Sequence, residues 1–326
     1  MKNPSRKMNT VYLLMVVMYL AASIFVSMLS VRSIKLPESA LLLVGELVAL
    51  LPGLCFLVLF RCDLRQWLPF RKVHILTALQ AALMVVVLTT ALYFLNMLSQ
   101  LFERNVVVEI FAGPNQTSPL MMFVIVGILG PVIEEVAFRG ILLTGYRRSG
   151  RVLGAILWTG FLFGLYHMNL NQFGYAVLIG IVSAFMVEST GSLIPSIVLH
   201  CGINSINVLE LYGLQYVMEL AGSDFQEEYA GVQETLTNAY LIRMAGTIAI
   251  PAVIGLVIAV VILISMATRE GRLEYLQSIL PGKKNQKSEN GEQVERQRIV
   301  TPIGIVAVVL CIGIIFGLQA LLKLFQ

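Results

Sequence analysis

Charge is scarce in this sequence. Of its 326 residues only 13% are Asp, Glu, Lys or Arg, while 57% are apolar and the mean hydropathy is +0.82. A soluble domain carries about a quarter charged residues, so a single soluble core is excluded. The apolar excess falls in long blocks of the kind that cross a bilayer. Histidine is scarcer still, with His74, His167 and His200 alone. The four cysteines, Cys55, Cys62, Cys201 and Cys311, are scattered and three lie inside apolar blocks. That pattern supports neither a disulfide framework nor a cysteine-built metal site. An internal repeat, a Gly-rich phosphate loop, a G-x-S-x-G elbow and an H-E-x-x-H pair are all missing. Their absence removes the usual motif-level case for nucleotide binding, a serine-elbow hydrolase and a locally built zinc site.

What is present is apolar length. A spanning helix needs about 20 mostly apolar residues. Nine stretches qualify, near 10–30, 40–60, 75–99, 118–143, 152–168, 173–189, 191–212, 240–267 and 300–324. The expected fold is all-α, a polytopic membrane bundle of about eight to nine transmembrane helices. Basic residues cluster before the first span (Lys2, Arg6, Lys7), after the second (Arg61, Arg65, Arg71, Lys72), after the fourth (Arg147, Arg148, Arg151) and along 268–299, while the loop at 213–239 is acidic. This alternation predicts a cytoplasmic N-terminus and an exterior C-terminus. The net charge of +4 is thus a topology signal and no argument for a nucleic-acid partner. The stretch 281–298 reads as a solvated, flexible linker.

One span breaks the apolar rule. PVIEEVAFRG at 131–140 puts Glu134, Glu135 and Arg139 inside a block otherwise built for lipid. A charge in the bilayer core costs roughly 2.5–3.5 kcal/mol on insertion scales, so such residues need partners or a purpose. At 3.6 residues per turn, Glu135 and Arg139 share a face and can pair. Glu134 is turned about 100° from Glu135 and about 140° from Arg139, and is the carboxylate left over. Gly130-Pro131 removes a backbone hydrogen bond and predicts a kink beside a polar cavity. Two further spans each carry one histidine. His167 ends FLFGLYH, with Phe163 on its face as an aromatic wall, and His200 shares a face with Asn204 in HCGIN. His74, at the start of the third span, reads as interfacial.

EEVAFR at 134–139, FGLYH at 163–167 and HCGIN at 200–204 resemble the EExxxR, FxxxH and HxxxN motifs of the CPBP intramembrane protease family, which includes the type II CAAX prenyl endopeptidases and the bacterial Abi proteins. The three occur in that order on successive polar-bearing spans, and the resemblance covers about 118–212. It implies a membrane-embedded endopeptidase. Glu134 would act as general base, His167 would hold the water, and His200 and Asn204 would donate to the oxyanion. Glu135 and Arg139 would support Glu134. The expected cofactor is none. The alternative within the same residues is zinc on Glu134, His167 and His200 with water as fourth ligand.

The chain accordingly divides into N-terminal spans at 1–117, a catalytic core at 118–212, and an outer loop, two further spans and a charged linker at 213–326. Expected partners are membrane lipids and a membrane-associated or lipidated peptide or protein substrate, in a cell membrane and most simply a bacterial plasma membrane. Two other readings stay open: a transporter whose acids and imidazoles line an ion path, and a non-enzymatic membrane adaptor or immunity protein.

Overall fold

Each apolar run is bounded by residues that start or stop helices. The computed structural model of the chain, which describes residues 3–105, 108, 117–279 and 297–324, forms a helix in every one of them. In order these are α1 (Pro4–Val31), α2 (Glu38–Leu59), α3 (Ile75–Ser99), α4 (Pro119–Arg147), α5 (Val152–Tyr166), α6 (Leu170–Thr190), α7 (Ile194–Leu220), α8 (Asn238–Arg269) and α9 (Pro302–Leu324). No strand occurs among the described residues. The chain is a multi-pass, all-α membrane protein. Apolar side chains such as Ile250, Val253, Val257, Val260, Val261 and Ile264 stand open on α8, where lipid and not water would cover them.

The expected count of nine spans needs one correction. Seven helices are long and apolar enough to cross a membrane, while α5 and the apolar part of α9, Pro302–Gly317, are shorter. The shortness of α5, at 15 residues, has a local cause. Met168 takes a left-handed backbone, φ 54°, and the Asn169 side chain accepts from the Gln172 N–H to start α6. The chain therefore reverses immediately after His167.

The acidic stretch 213–239 is also mostly helical and not the loop its composition suggested. Helix α7 runs on to Leu220, and a further helix covers Phe225–Thr235. Asp224 caps that helix by accepting from the Gln226 and Glu227 N–H groups, with Glu227 and Glu228 placed favourably in its first turn. Of the linker expected at 281–298, residues 281–296 lie outside the described residues.

Helix α4 sits in the middle of the bundle and touches α1, α2, α5, α6 and α7, with Phe138, Ile141 and Leu142 fully buried. Helix α8 lies along α3, and α9 packs on α1 and α5. Asn9 ties four of these pieces together. Its Oδ1 accepts from the Tyr146 hydroxyl at 2.7 Å and the Trp158 indole N–H at 3.3 Å, and its Nδ2 donates to the Ile299 carbonyl at 2.9 Å. The ninth helix is thereby docked into the bundle by buried hydrogen bonds.

Candidate active site

The site starts with the backbone of α4. Its first turn is capped by Ser118, with Pro119 at the first helical position, where a missing N–H costs nothing. Pro131 cannot donate to the turn before it. Where a kink was expected, α4 has two π-helical stretches, Phe123–Leu129 and Val136–Leu143, on either side of Gly130–Glu135. Such widened turns recur at functional sites. Helix α7 supplies donors to three successive carbonyls of the first stretch. Asn204 Nδ2 reaches Val126 O at 3.1 Å, Ser205 Oγ reaches Gly127 O at 3.2 Å, and Cys201 Sγ lies 3.7 Å from Ile128 O. Gly127 permits this approach, because a Cβ there would stand 2.9 Å from Ser205 Oγ.

That contact aligns the charged turn with His200. Arg139 Nη1 lies 3.1 Å from Glu135 Oε1, the pairing expected four residues apart. It is an ion pair by distance without hydrogen-bond alignment, since neither terminal guanidinium nitrogen makes a hydrogen bond among the described residues. The guanidinium also lies over the Phe163 ring, 4.2 Å from its centroid. His200 Nδ1 is 3.0 Å from the same Glu135 oxygen, and its Nε2 is 3.5 Å from Glu134 Oε2. The imidazole thus bridges the two neighbouring carboxylates. Their exposures differ: the Glu135 side chain is 0% accessible, while Glu134 keeps 13%.

Phe163 holds the second imidazole in relation to the first. Its ring meets His167 edge-on at 5.0 Å between centroids and His200 edge-on at 5.6 Å. His167 Nδ1 lies 2.9 Å from the Phe163 carbonyl oxygen. A carbonyl only accepts, so Nδ1 carries the hydrogen and Nε2 keeps its lone pair. Asn169 Nδ2 donates to the His167 carbonyl at 2.8 Å and steadies the turn that follows. The sequence-nominated residues therefore gather from α4, the end of α5, and α7. Of the three histidines only His74 stands apart, accepting from the Leu76 N–H as the cap of α3.

A comparison with family models matches residues 116–206 to the type II CAAX prenyl endopeptidase Rce1-like family. Those residues form an Rce1-like domain. The match takes in α4 to the middle of α7, the whole of the charged turn, both imidazoles and Asn204. No curated protein and no solved structure matches the chain.

Two groups around the Rce1-like site escaped the sequence reading. Glu46, on α2 and outside the matched residues, interacts electrostatically with Glu134. Its Oε1 rests against Gly130, one helical turn before Glu134, where a Cβ would come within 2.9 Å. A lone acid in the apolar stretch 40–60 was itself a signal. Tyr166, adjacent to His167, is 7% exposed and interacts electrostatically with both Glu46 and Glu134. Its place directly before His167 in FGLYH was the signal the sequence offered.

The zinc alternative can be tested on donor placement. Among the described residues no three His, Cys, Asp or Glu side chains are grouped so as to hold a metal ion. Each Nδ1 is engaged, His167 on a carbonyl and His200 on Glu135, which leaves the Nε2 atoms as the nitrogens a metal would meet.

Proposed function

We propose that this chain is an intramembrane endopeptidase that hydrolyses a peptide bond in a membrane-associated substrate with water activated by Glu134. The observation that carries this reading is the contrast between two adjacent acids in the Rce1-like domain. Glu135 is sealed by Arg139 and His200, whereas Glu134 faces His200 Nε2 and stays 13% accessible. A buried acid with no basic partner of its own, inside a membrane helix, is a costly arrangement that a structural role does not require.

The chemistry follows from the groups present. The Glu134 carboxylate takes one proton from a water molecule as its oxygen bonds to the substrate carbonyl carbon, and the C=O π pair moves onto the carbonyl oxygen. The Nε2 lone pair of His167 accepts from the second water proton and orients the attack. Asn204 holds Val126 O with one N–H and has a second for the oxyanion. Collapse of the intermediate re-forms C=O and breaks the C–N bond. The proton held by Glu134 passes to the leaving nitrogen. His200, Glu135 and Arg139 hold the acid in position. No metal takes part in these steps.

A site inside the bilayer selects substrates that are themselves membrane-bound: a lipidated tail, a leader peptide or a transmembrane segment. The test uses purified protein in liposomes. A farnesylated peptide with a C-terminal Cys-aliphatic-aliphatic-X sequence and an unmodified hydrophobic leader peptide serve as probes, with cleavage read by mass spectrometry. The parent cuts at least one probe and Glu134→Gln cuts neither. Equal cleavage by both proteins, or ion flux without cleavage, overturns the reading in favour of an adaptor or a transporter respectively.

A further inference from the structure

Resting on the protease reading, we infer that the hydroxyl of Tyr166 is a catalytic hydrogen-bond donor to the tetrahedral oxyanion. An oxyanion formed beside Glu134 needs donors that are not committed elsewhere. The side chains at the site can be sorted on that criterion. His167 has its N–H on the Phe163 carbonyl and presents an acceptor. His200 has both nitrogens beside carboxylates. Asn204 has one N–H on Val126 O and one remaining. The Arg139 guanidinium is sealed against Glu135 and the Phe163 ring.

Tyr166 is different. Its oxygen is buried and makes no hydrogen bond among the described residues, and the residue is more than nine-tenths buried. Buried tyrosine hydroxyls almost always find a partner, and leaving one without a partner costs about 1–3 kcal/mol. Tyr166 directly precedes His167, and its ring packs against Phe138, one helical turn after Glu134, which places the residue beside the charged turn; its electrostatic neighbours are Glu46, Glu134, Tyr19 and Cys311. The ring itself is fixed. It meets Phe138 at 5.7 Å, Tyr19 at 6.1 Å and Tyr12 at 6.4 Å, each edge-on. A rigidly mounted hydroxyl with no acceptor among the described residues, on a ring packed one helical turn from the reacting acid, is the arrangement an oxyanion hole requires before substrate arrives. Together with the second N–H of Asn204 it makes a two-donor hole from α5 and α7.

Tyr166→Phe keeps the ring contacts and deletes only the hydroxyl. In the liposome assay it lowers kcat by about 10²–10³-fold with KM little changed, the signature of an interaction made only in the transition state. Its Tm equals or exceeds that of the parent, since an unsatisfied polar atom is removed. Tyr19→Phe, which deletes the neighbouring phenol hydroxyl, leaves kcat unchanged. The inference is overturned if Tyr166→Phe cuts at the parental rate while Glu134→Gln is inactive. It is also overturned if Tyr19→Phe slows cleavage as much, or if the Tm of Tyr166→Phe falls. If Glu134→Gln cuts like the parent, or the parent cuts neither peptide, the protease reading fails first and takes this assignment with it.

Discussion

Two glutamates, Glu135 in α4 and Glu188 in α6, are both buried to zero exposure and both face arginine, yet their surroundings differ. Glu188 is fully buried and meets phenolic and basic groups of the protein, its Oε1 by an ion pair alone. The Tyr275 hydroxyl donates to its Oε2 at 2.6 Å and Arg147 Nη1 lies 3.5 Å from its Oε1. Arg272 Nε donates to its backbone carbonyl at 2.9 Å, and the Arg272 guanidinium covers the Tyr275 ring at 4.6 Å. Burial against the acid pushes the Tyr275 phenol well above its ordinary range. The cluster joins the ends of α4 and α6 to the segment after α8. Around Glu135 the same kind of pairing has groups beside it that the protein does not complete: the accessible Glu134, the Nε2 of His167 and the hydroxyl of Tyr166. A buried charge whose partners all turn inward holds helices together. One that positions incompletely partnered neighbours prepares them for a ligand.

The comparison breaks most directly at Glu134. Its change to Gln is expected to cost about 10²–10⁴-fold in cleavage, the usual worth of a general base, with Tm little altered because Gln fills the same space. Arg139→Met is expected to destabilise by about 3–5 kcal/mol, since it leaves Glu135 as an uncompensated buried acid. Thermal unfolding of the purified protein in detergent reads that loss, and a Tm equal to the parent's would show that the ion pair holds nothing.

Asn204→Ala is expected to act twice. Loss of the bond to Val126 O costs about 1–3 kcal/mol of stability, and loss of the remaining donor lowers kcat about 10²-fold. A stability loss with an unchanged rate would confine Asn204 to supporting the π-helical stretch. Glu188→Gln sharpens the contrast from the other side. Its Tm falls, by about 1–3 kcal/mol in stability, while the rate per folded molecule stays parental. A collapse of kcat there would erase the distinction between the two clusters. The smallest effect expected is that of a chelator, which leaves cleavage unchanged. Activity lost on chelation and restored by zinc would replace the metal-free chemistry.

Legibility from sequence varied with the range of the interaction. The Glu135–Arg139 pair and the shared face of His200 and Asn204 were readable, because four-residue spacing on a helix is local geometry. The helix Phe225–Thr235 was also signalled, by Asp224 three residues ahead of Glu227, but its acidic composition was read as loop. The truncation of α5 turned on the backbone of Met168, a residue type with no preference for that conformation. The proline was visible while its consequence was not: whether Pro131 kinks a helix or widens it depends on the donors a neighbouring helix offers, and those came from Cys201, Asn204 and Ser205.

The amino-acid sequence by itself determined that the chain lives in a membrane, where its long apolar helices lie, and which acid lacks a basic partner four residues away. Hydropathy and helical spacing are properties of neighbouring residues, and they survive in any arrangement of the helices. Only the tertiary structure decided that Glu46 on α2 lies against the turn before Glu134, that Tyr166 packs beside Phe138, and that His200 bridges two carboxylates. Those outcomes depend on which helices touch α4 and at what height, and close packing around a π-distorted turn selects among placements that the sequence pattern leaves equivalent.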